Sequence, residues 1–434
     1  MTEEAPTTRR HHRRRSLLRG RGYFARLGPG IITGAADDDP SGIATYSQVG
    51  ASQGLRLLWT APALLPLALA VQETTARLGL VTGKGLGTLI RERFPRWVLF
   101  VAVTLLTAAN TLNIGADIAS MAAALRLLVP VPIALGAIGF TLLMGALEVF
   151  VSYHRYSKVL RWFAVSLLSY VAVLFVVHIS WSDVVRATFI PHLHYDSTTL
   201  VALVALAGTT ISPYLFFWQT AEETEERQDD DDTSDDPTED SEPVRRSHLA
   251  AMRVDVSAGM LSGVGVMFAI MTTAAVTLGA HGSVNVSTAE QAAQALEPLA
   301  GSFAKALFAI GIVGLGLLSI PVLAGSSAYA VAEAFSWHEG LSRKFREAPG
   351  FYGVIVASMV VGVALNALGV NPIRALYLSA VFNGVTAPPL ILLIVILGRS
   401  RSLLGEHRSG WLSLTVASVA GILMTVLPVL ALIA

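Results

Sequence analysis

The sequence predicts an all-α protein that crosses a membrane many times. Of its 434 residues, 53% are hydrophobic and only 14% are charged, well below the ~25% of an average soluble protein. Runs such as Trp97–Ala116 and Leu127–Ala146 contain no charged side chain and are long enough to cross a bilayer as helices. Basic residues recur in alternate connections between such runs, as expected for a chain that passes repeatedly from one side to the other.

Hydropathy predicts eleven membrane spans, which are numbered in chain order below. They are predicted near residues 26–50, 56–79, 97–125, 130–150, 157–178, 198–221, 250–279, 302–335, 351–368, 373–398 and 410–433. Residues 1–25 then form a basic tail, and residues 26–434 form the membrane domain.

The distribution of Lys and Arg predicts which ends are cytoplasmic. The basic tail lies before span 1, and the other clusters lie between spans 2 and 3, 4 and 5, 6 and 7, 8 and 9, and 10 and 11. These clusters are Lys84, Arg91, Arg93 and Arg96; Arg155 and Lys158; Arg245 and Arg246; Arg343, Lys344 and Arg346; and Arg399, Arg401 and Arg408. Because basic loops favour the cytoplasm, the N-terminus is predicted to be cytoplasmic and the C-terminus external.

An acidic segment follows span 6. Thirteen carboxylates lie within Glu222–Glu242, inside a predicted cytoplasmic loop at residues 222–248. So many like charges favour a solvated linker, and a weak role in gathering metal ions is the alternative. The chain contains no cysteine, which excludes disulfides and thiolate metal sites.

Two spans contain sequences that break helices in mid-membrane. Span 1 carries Asp37-Asp38-Asp39-Pro40-Ser41-Gly42, and span 6 carries Thr209-Thr210-Ile211-Ser212-Pro213. Proline removes a backbone donor, and unwound backbone at this depth survives only where it lines a cavity or lies buried in protein. Spans 1 and 6 also begin two five-span halves, at about 26–178 and 198–398, with an extra helix at 410–433. This is the arrangement of inverted-repeat transporters, whose broken helices form the substrate site.

The aspartates of span 1 predict a cation site. A charged side chain at a helix centre costs roughly 2.5–3.5 kcal/mol on insertion scales, so three in a row need a cation, protons or water. Carboxylate and carbonyl oxygens suit hard divalent ions, and Asp39 beside the proline is the strongest candidate ligand, followed by Asp38 and Asp37. A helix-capping role is the alternative for one of the three.

Several segments resemble the Nramp (natural resistance-associated macrophage protein) family of divalent metal transporters. The first is GPGIITGAADDDPSGIATYSQVGA in span 1, where the family has Asp-Pro-Gly-Asn. The others are ARLGLVTGKGLGTLIRERF, NIGADIASMAAAL and GSSAYAVAEAF, in the same order as in the family. The resemblance implies a LeuT-like fold with metal bound between broken spans 1 and 6. It also implies a protein that works as a monomer in the cytoplasmic membrane of a bacterium.

When the family's metal ligands are placed on this sequence by position, one ligand is kept and others are replaced. The metal-binding Asp is Asp39, the family's carbonyl ligand falls on Ala36, and its Asn ligand becomes Gly42. The family's span-6 motif Ala-x-x-Met-Pro-His corresponds to the segment starting at Thr209. Its Met ligand becomes Ser212 and its His becomes Tyr214.

Other family positions place residues along the ion pathway. The span-3 pair associated with proton movement keeps its Asp as Asp117, but its Glu becomes Ser120. The span-2 Gln corresponds to Gln72. The span-10 Gln becomes Ala380, with Asn383 one turn away.

These changes give the predicted site ligands that favour hard cations over soft metals. A hydroxyl replaces a soft sulfur, Asp37 and Asp38 are added, and the lost Asn and Gln leave room for the water that Mg2+ retains. The loss of His and Glu removes groups that could carry protons. The pattern is similar to the Nramp-related magnesium transporter branch. It predicts import of Mg2+ and Mn2+ without proton coupling, and the alternative is a proton-coupled importer of Mn2+ or Fe2+.

Functions of other classes fit less well. No nucleophile–base pair, zinc-protease motif or phosphate-binding loop indicates an enzyme. An amino-acid transporter of the same fold would present uncharged helix ends to a substrate carboxylate, which three aspartates would repel. A passive channel stays open as an interpretation. No cofactor and no nucleic-acid partner is predicted, and the lipid bilayer is the expected surrounding.

Overall fold

The computed structural model describes residues 34, 37–151, 165–192, 194–233, 242–281, 285–341, 343–366 and 369–434. The helices of the predicted spans run Pro40–Gln53 (span 1), Thr60–Thr82 (span 2), Arg96–Arg126 (span 3), Ile133–Phe150 (span 4), Leu168–Val176 (span 5), Ser197–Thr210 and Pro213–Thr233 (span 6), Glu242–Thr277 (span 7), Ala304–Phe335 (span 8), Pro349–Asn366 (span 9), Pro372–Arg399 (span 10) and Trp411–Ile433 (span 11). Shorter helices in the connections run Leu86–Arg93, Trp181–Phe189, Ala289–Gln294, Glu297–Ala300 and Arg401–Leu404.

The described helices confirm the all-α polytopic prediction. Within the described residues, nine helical segments are long and apolar enough to cross a membrane. Spans 1 and 5 are described only in part, and each described part is helical where the sequence predicted it. Exposed side chains such as Leu142 (70%), Phe150 (84%) and Leu432 (88%) are apolar, whereas many polar side chains are buried. This distribution suits lipid outside and a polar pathway inside.

Both predicted helix breaks are present. Asp38 and Asp39 are non-helical, and the helix of span 1 starts at Pro40. Span 6 divides into half-helix 6a (Ser197–Thr210) and half-helix 6b (Pro213–Thr233). Proline fits the first position of each new half-helix, because that position needs no backbone donor.

Span 3 lies at the centre of the helix packing, against spans 4, 8, 9 and 10. Span 1 packs on spans 7 and 10, half-helix 6a on spans 10 and 11, and half-helix 6b on spans 2 and 8. The contact between 6a and span 10 depends on glycine. A Cβ atom on Gly208 would lie 2.1 Å from the carbonyl oxygen of Ala380 and 2.3 Å from the backbone nitrogen of Gly384. This close approach brings span 10 against the break in span 6.

The acidic segment differs in part from the predicted linker. Half-helix 6b continues through it as far as Thr233, and Glu222 and Glu223 are buried at 5% and 3% exposure. Residues 234–241 lie outside the described part. Glu is a good helix former, so its local propensity is compatible with extending the helix beyond the apolar stretch.

Candidate metal site at the two helix breaks

Asp39 is held in a fixed orientation at the start of the span-1 helix. It is the N-cap residue, and its Oδ1 atom accepts hydrogen bonds from the Gly42 amide at 2.8 Å and the Ser41 hydroxyl at 2.6 Å. Its Oδ2 atom accepts a hydrogen bond from Asn113 Nδ2 at 2.9 Å. These contacts orient the carboxylate, whose oxygens can coordinate a hard cation while they accept hydrogen bonds. Capping and cation binding are therefore compatible at Asp39.

Asn113 is a site residue that the sequence analysis missed. Its own Oδ1 atom accepts a hydrogen bond from the Ser379 hydroxyl of span 10 at 2.6 Å. This contact fixes the amide with its Nδ2 atom toward Asp39. Asn113 lies four residues before Asp117, so both belong to one face of span 3. That spacing from a suspected pathway residue was the signal available in the sequence.

Asp37 and Asp38 face a different side of the break. Both are buried, with 2% and 3% exposure, and among the described residues their Oδ1 atoms have no hydrogen-bond partner. Their carboxylates lie beside Gly263 of span 7. The three aspartates are therefore divided between span 3 and span 7.

Gly42 and Thr209 bring the two breaks together. A Cβ atom on Gly42 would lie 3.4 Å from Thr209 Oγ1, 3.5 Å from the Asp37 carbonyl oxygen and 3.3 Å from Tyr46 Cε2. The space next to Gly42 is therefore lined by a hydroxyl and a carbonyl oxygen. Thr209 Oγ1 is buried and has no hydrogen-bond partner among the described residues. Both oxygens are ligand types that hard cations accept.

Ser212 and Tyr214 follow half-helix 6a directly, and both are buried. The Ser212 hydroxyl donates to the carbonyl oxygens of Gly208 at 3.0 Å and Thr209 at 2.9 Å, which closes the end of 6a. Tyr214 is buried, and its carbonyl oxygen accepts a hydrogen bond from Ser326 of span 8 at 2.8 Å.

Span 10 contributes an unpartnered amide. Asn383 is 1% exposed, and neither its Nδ2 nor its Oδ1 atom has a hydrogen-bond partner among the described residues. It is adjacent in sequence to Gly384, which packs on Gly208 of half-helix 6a. A buried amide without partners is costly, so this position favours an interaction with a ligand or water.

Two further pathway residues are anchored to neighbouring helices. Gln72 of span 2 donates to the Leu215 carbonyl oxygen at 3.4 Å and to Gln219 Oε1 at 3.3 Å, just past the span-6 break. Asp117 accepts a hydrogen bond from Ser319 of span 8 at 3.1 Å. Ser120 instead donates to the Asp117 carbonyl oxygen in its own helix, at 2.8 Å.

The described residues contain no group of three or more His, Cys, Asp and Glu side chains arranged to hold a metal ion. A cation at the breaks would be held by Asp39 together with neutral oxygens and water. Ala36, the predicted carbonyl ligand, lies outside the described residues. The ligand roles of the remaining predicted residues stay predictions.

Sequence comparison identifies related proteins over most of the chain. The family described as "Natural resistance-associated macrophage protein-like" (Nramp) matches residues 30–434. A divalent metal cation transporter MntH of Aeromonas hydrophila is 29% identical over 393 residues, covering 88% of this chain and 89% of that protein. The MntH of Yersinia pestis is 30% identical over 311 residues, covering 68% of this chain and 69% of that protein.

Solved structures share the fold. A crystal structure of the Eremococcus coleocola manganese transporter matches with a TM-score of 0.72 at 18% identity, covering 98% of this chain and 88% of that one. Mhp1, a nucleobase-cation-symport-1 family transporter in a closed conformation, matches with a TM-score of 0.61 at 16% identity. That match covers 94% of this chain and 92% of that one. The LeuT-like fold that the family resemblance implied is thereby confirmed.

Proposed function

Because this chain belongs to the Nramp family, we propose that it carries divalent metal cations across a membrane by alternating access. Its substrates are Mg2+ and Mn2+, imported across the cytoplasmic membrane of a bacterium without proton coupling. The observation that carries the proposal is Asp39, a buried carboxylate held in a fixed orientation at the span-1 break by donors from spans 1 and 3. The names of the MntH relatives, divalent metal cation transporters, support the cation class.

The neutral oxygens at the breaks favour hard ions. Thr209 provides a hydroxyl beside Gly42, Asn383 provides an unpartnered amide, and Ser212 stands where the family resemblance expects a soft sulfur. Mg2+ is usually held by one or two carboxylates and retains several waters. One carboxylate with dispersed neutral oxygens fits that coordination better than it fits a fully dehydrated transition metal.

The absence of proton coupling is proposed from residue identity. Tyr214 and Ser120 replace the His and Glu of the family pattern, and neither side chain exchanges protons readily near neutral pH. The second candidate, proton-coupled import of Mn2+ or Fe2+, is favoured by Asp117. This carboxylate is buried in span 3 and bonded to Ser319, as a proton-carrying group would be.

Uptake into proteoliposomes tests both candidates. Mg2+ and Mn2+ are offered separately to the full-length protein and to Asp39→Ala, with a pH indicator inside the vesicles. We expect saturable entry of both ions, loss of entry in Asp39→Ala, and no internal acidification. Entry of Mn2+ accompanied by acidification, with no Mg2+ entry, would establish the proton-coupled alternative.

A further inference from the structure

Asp37 and Asp38 form the most unusual feature of the span-1 break, because their buried carboxylates lie beside span 7, whereas Asp39 is bonded to span 3. We propose that they form a second pocket for a hard divalent cation, between span 1 and span 7. The pocket is formed by the two carboxylates and the carbonyl oxygen of Gly34, around the bare backbone of Gly263. It is a separate site from the one at Asp39 and does not depend on the proposed transport function.

The three oxygens lie around Gly263. A Cβ atom on Gly263 would lie 3.4 Å from Asp37 Oδ2, 3.6 Å from the Gly34 carbonyl oxygen and 3.9 Å from Asp38 Oδ1. Gly34 itself is packed closely on span 7, since a Cβ on it would lie 2.5 Å from the backbone of Gly259. The position of its carbonyl is therefore fixed by helix packing. Glycine at position 263 keeps the centre of this oxygen cluster clear of side-chain atoms.

The described residues provide no salt-bridge partner for the two carboxyl groups of this pocket. Asp37 and Asp38 are 2% and 3% exposed, and their Oδ1 atoms have no hydrogen-bond partner among the described residues. Arg253 lies ten residues before Gly263 in the same helix, which is about 15 Å along its axis, and pairs with Glu73 at 3.1 Å. Each uncompensated buried charge costs several kcal/mol in a low-dielectric environment, so a cation from solution would relieve it.

The hydrogen bonds of Asp39 are made outside this pocket. Its carboxylate is bonded to Ser41, Gly42 and Asn113 and so faces span 3. Asp37 and Asp38 face span 7 at Gly263. The Asp-Asp-Asp sequence therefore supplies acids to two sides of the broken helix.

The chemistry of the pocket selects the class of ion. All three protein ligands are oxygens, and two of them are carboxylates, whose charge a divalent ion neutralises. Hard ions such as Mg2+, Ca2+ and Mn2+ take carboxylate and carbonyl oxygens and complete their coordination with water. Mn2+ is the suitable probe, because its free concentration is measured directly by electron paramagnetic resonance.

The test counts Mn2+ ions bound per chain in the purified full-length protein. We expect Asp37→Asn/Asp38→Asn to bind one ion fewer than the wild type, and Asp39→Asn also to bind one fewer. Gly263→Val, which adds methyl groups to the pocket, should lose the same ion as the double variant. Gly265→Val in the same helix is its control, since a Cβ there meets no atom within 4 Å and the ion count should stay unchanged. All variants retain the acidic segment, so ions held there add equally to every count.

Three outcomes would overturn the second pocket. If the triple variant Asp37→Asn/Asp38→Asn/Asp39→Asn binds only one ion fewer than the wild type, instead of two, the three acids share one site. An unchanged count in the double variant would mean that Asp37 and Asp38 hold no ion. Equal counts in Gly263→Val and Gly265→Val, with both variants folded, would place any second ion elsewhere. If only Asp39→Asn leaves the count unchanged, the transport site fails while the second pocket stands.

Discussion

The breaks in spans 1 and 6 interrupt their helices at proline, but they satisfy the freed backbone groups in opposite ways. At span 1, the acid Asp39 accepts hydrogen bonds at the start of the new helix. At span 6, the hydroxyl of Ser212 donates to carbonyl oxygens at the end of the old helix, half-helix 6a. A carboxylate at a helix N-terminus is stabilised by the helix dipole, and a donor at a C-terminus satisfies orphan carbonyls.

The two breaks therefore offer different chemical groups to the candidate site, a carboxylate from span 1 and neutral oxygens from span 6. In the proposed site, span 1 would supply the negative charge that attracts a cation, and span 6 would supply neutral oxygens around it. Asp39 is fixed by three donors, whereas Thr209 beside it has a hydroxyl without a partner among the described residues. The comparison implies that changes at span 1 alter affinity, whereas changes at span 6 alter the choice of ion.

The largest expected effect comes from neutralising the span-1 break. Asp39→Asn keeps the size of the side chain but removes its charge, so Mn2+ binding should weaken by roughly 3–5 kcal/mol, the cost of breaking a buried charge pair. Titration of Mn2+ into the purified protein measures this change. Ser212→Ala at the span-6 break is the matched control, and its affinity should stay within about threefold, near the 0.6 kcal/mol of an average membrane hydrogen bond. Similar losses in the two variants would contradict the division of roles.

Restoring a sulfur at the span-6 break should change selectivity. Ser212→Met places a thioether where the family resemblance has one, and a thioether favours soft metals. We expect the affinity for Cd2+ relative to Mg2+ to rise about tenfold, or ~1.4 kcal/mol. Competition between Cd2+ and Mg2+ for uptake into proteoliposomes measures the ratio. Ser212→Leu, which adds bulk without sulfur, controls for the change in shape, and an equal shift in that variant would exclude a sulfur effect.

Substitution of the residues that orient Asp39 should weaken Mn2+ binding less than Asp39→Asn does. Asn113→Ala removes the hydrogen bond to Asp39 Oδ2, and loss of such a supporting contact typically weakens metal affinity 10–100-fold. Ser379→Ala acts one step further away, so a loss of about threefold is expected, equivalent to ~0.6 kcal/mol. Binding of Mn2+ to both variants and to their double variant measures the coupling. Additive losses would show that Ser379 does not act through Asn113.

The smallest effect is expected outside the breaks, at a buried acid near the end of span 8. Burial, with the nearby carboxylates of Glu333 and Glu225, raises the pKa of Glu339 from its ordinary 4.5 to about 9, although Arg91 and Arg343 oppose the shift. Because the folded protein binds this proton more tightly than the unfolded chain, its contribution to stability is lost as pH rises from about 4.5 to about 9.

Glu339→Gln stays neutral, so this part of the pH dependence should disappear. The difference between melting temperatures at pH ~6 and pH ~9 should shrink by a few degrees relative to the wild type. Thermal unfolding in detergent measures it, with Mn2+ uptake as a control that should not change. An unaltered pH dependence would mean that Glu339 titrates near its ordinary value. A pH dependence that changes while uptake does not would show that this acid, unlike Asp39, affects stability but not transport.

The sequence by itself determined the membrane class, the approximate spans and the two breaks. Each depends on local chemistry: charge-free runs of sufficient length, and proline beside polar residues. It also identified Asp39 as a helix cap and candidate ligand, because an acid directly before proline suits both roles. The family resemblance extended this to a fold in which spans 1 and 6 meet.

Only the tertiary structure decided which residues face one another. Asn113 and Ser379 lie 74 and 340 positions from Asp39, and nothing in their local sequence marks a contact with it. The division of three consecutive aspartates between span 3 and span 7 likewise depends on how the unwound backbone turns their side chains. Helix packing through backbone contacts at Gly208 and Gly34 brings these helices together, so the site's geometry is a property of the assembled bundle.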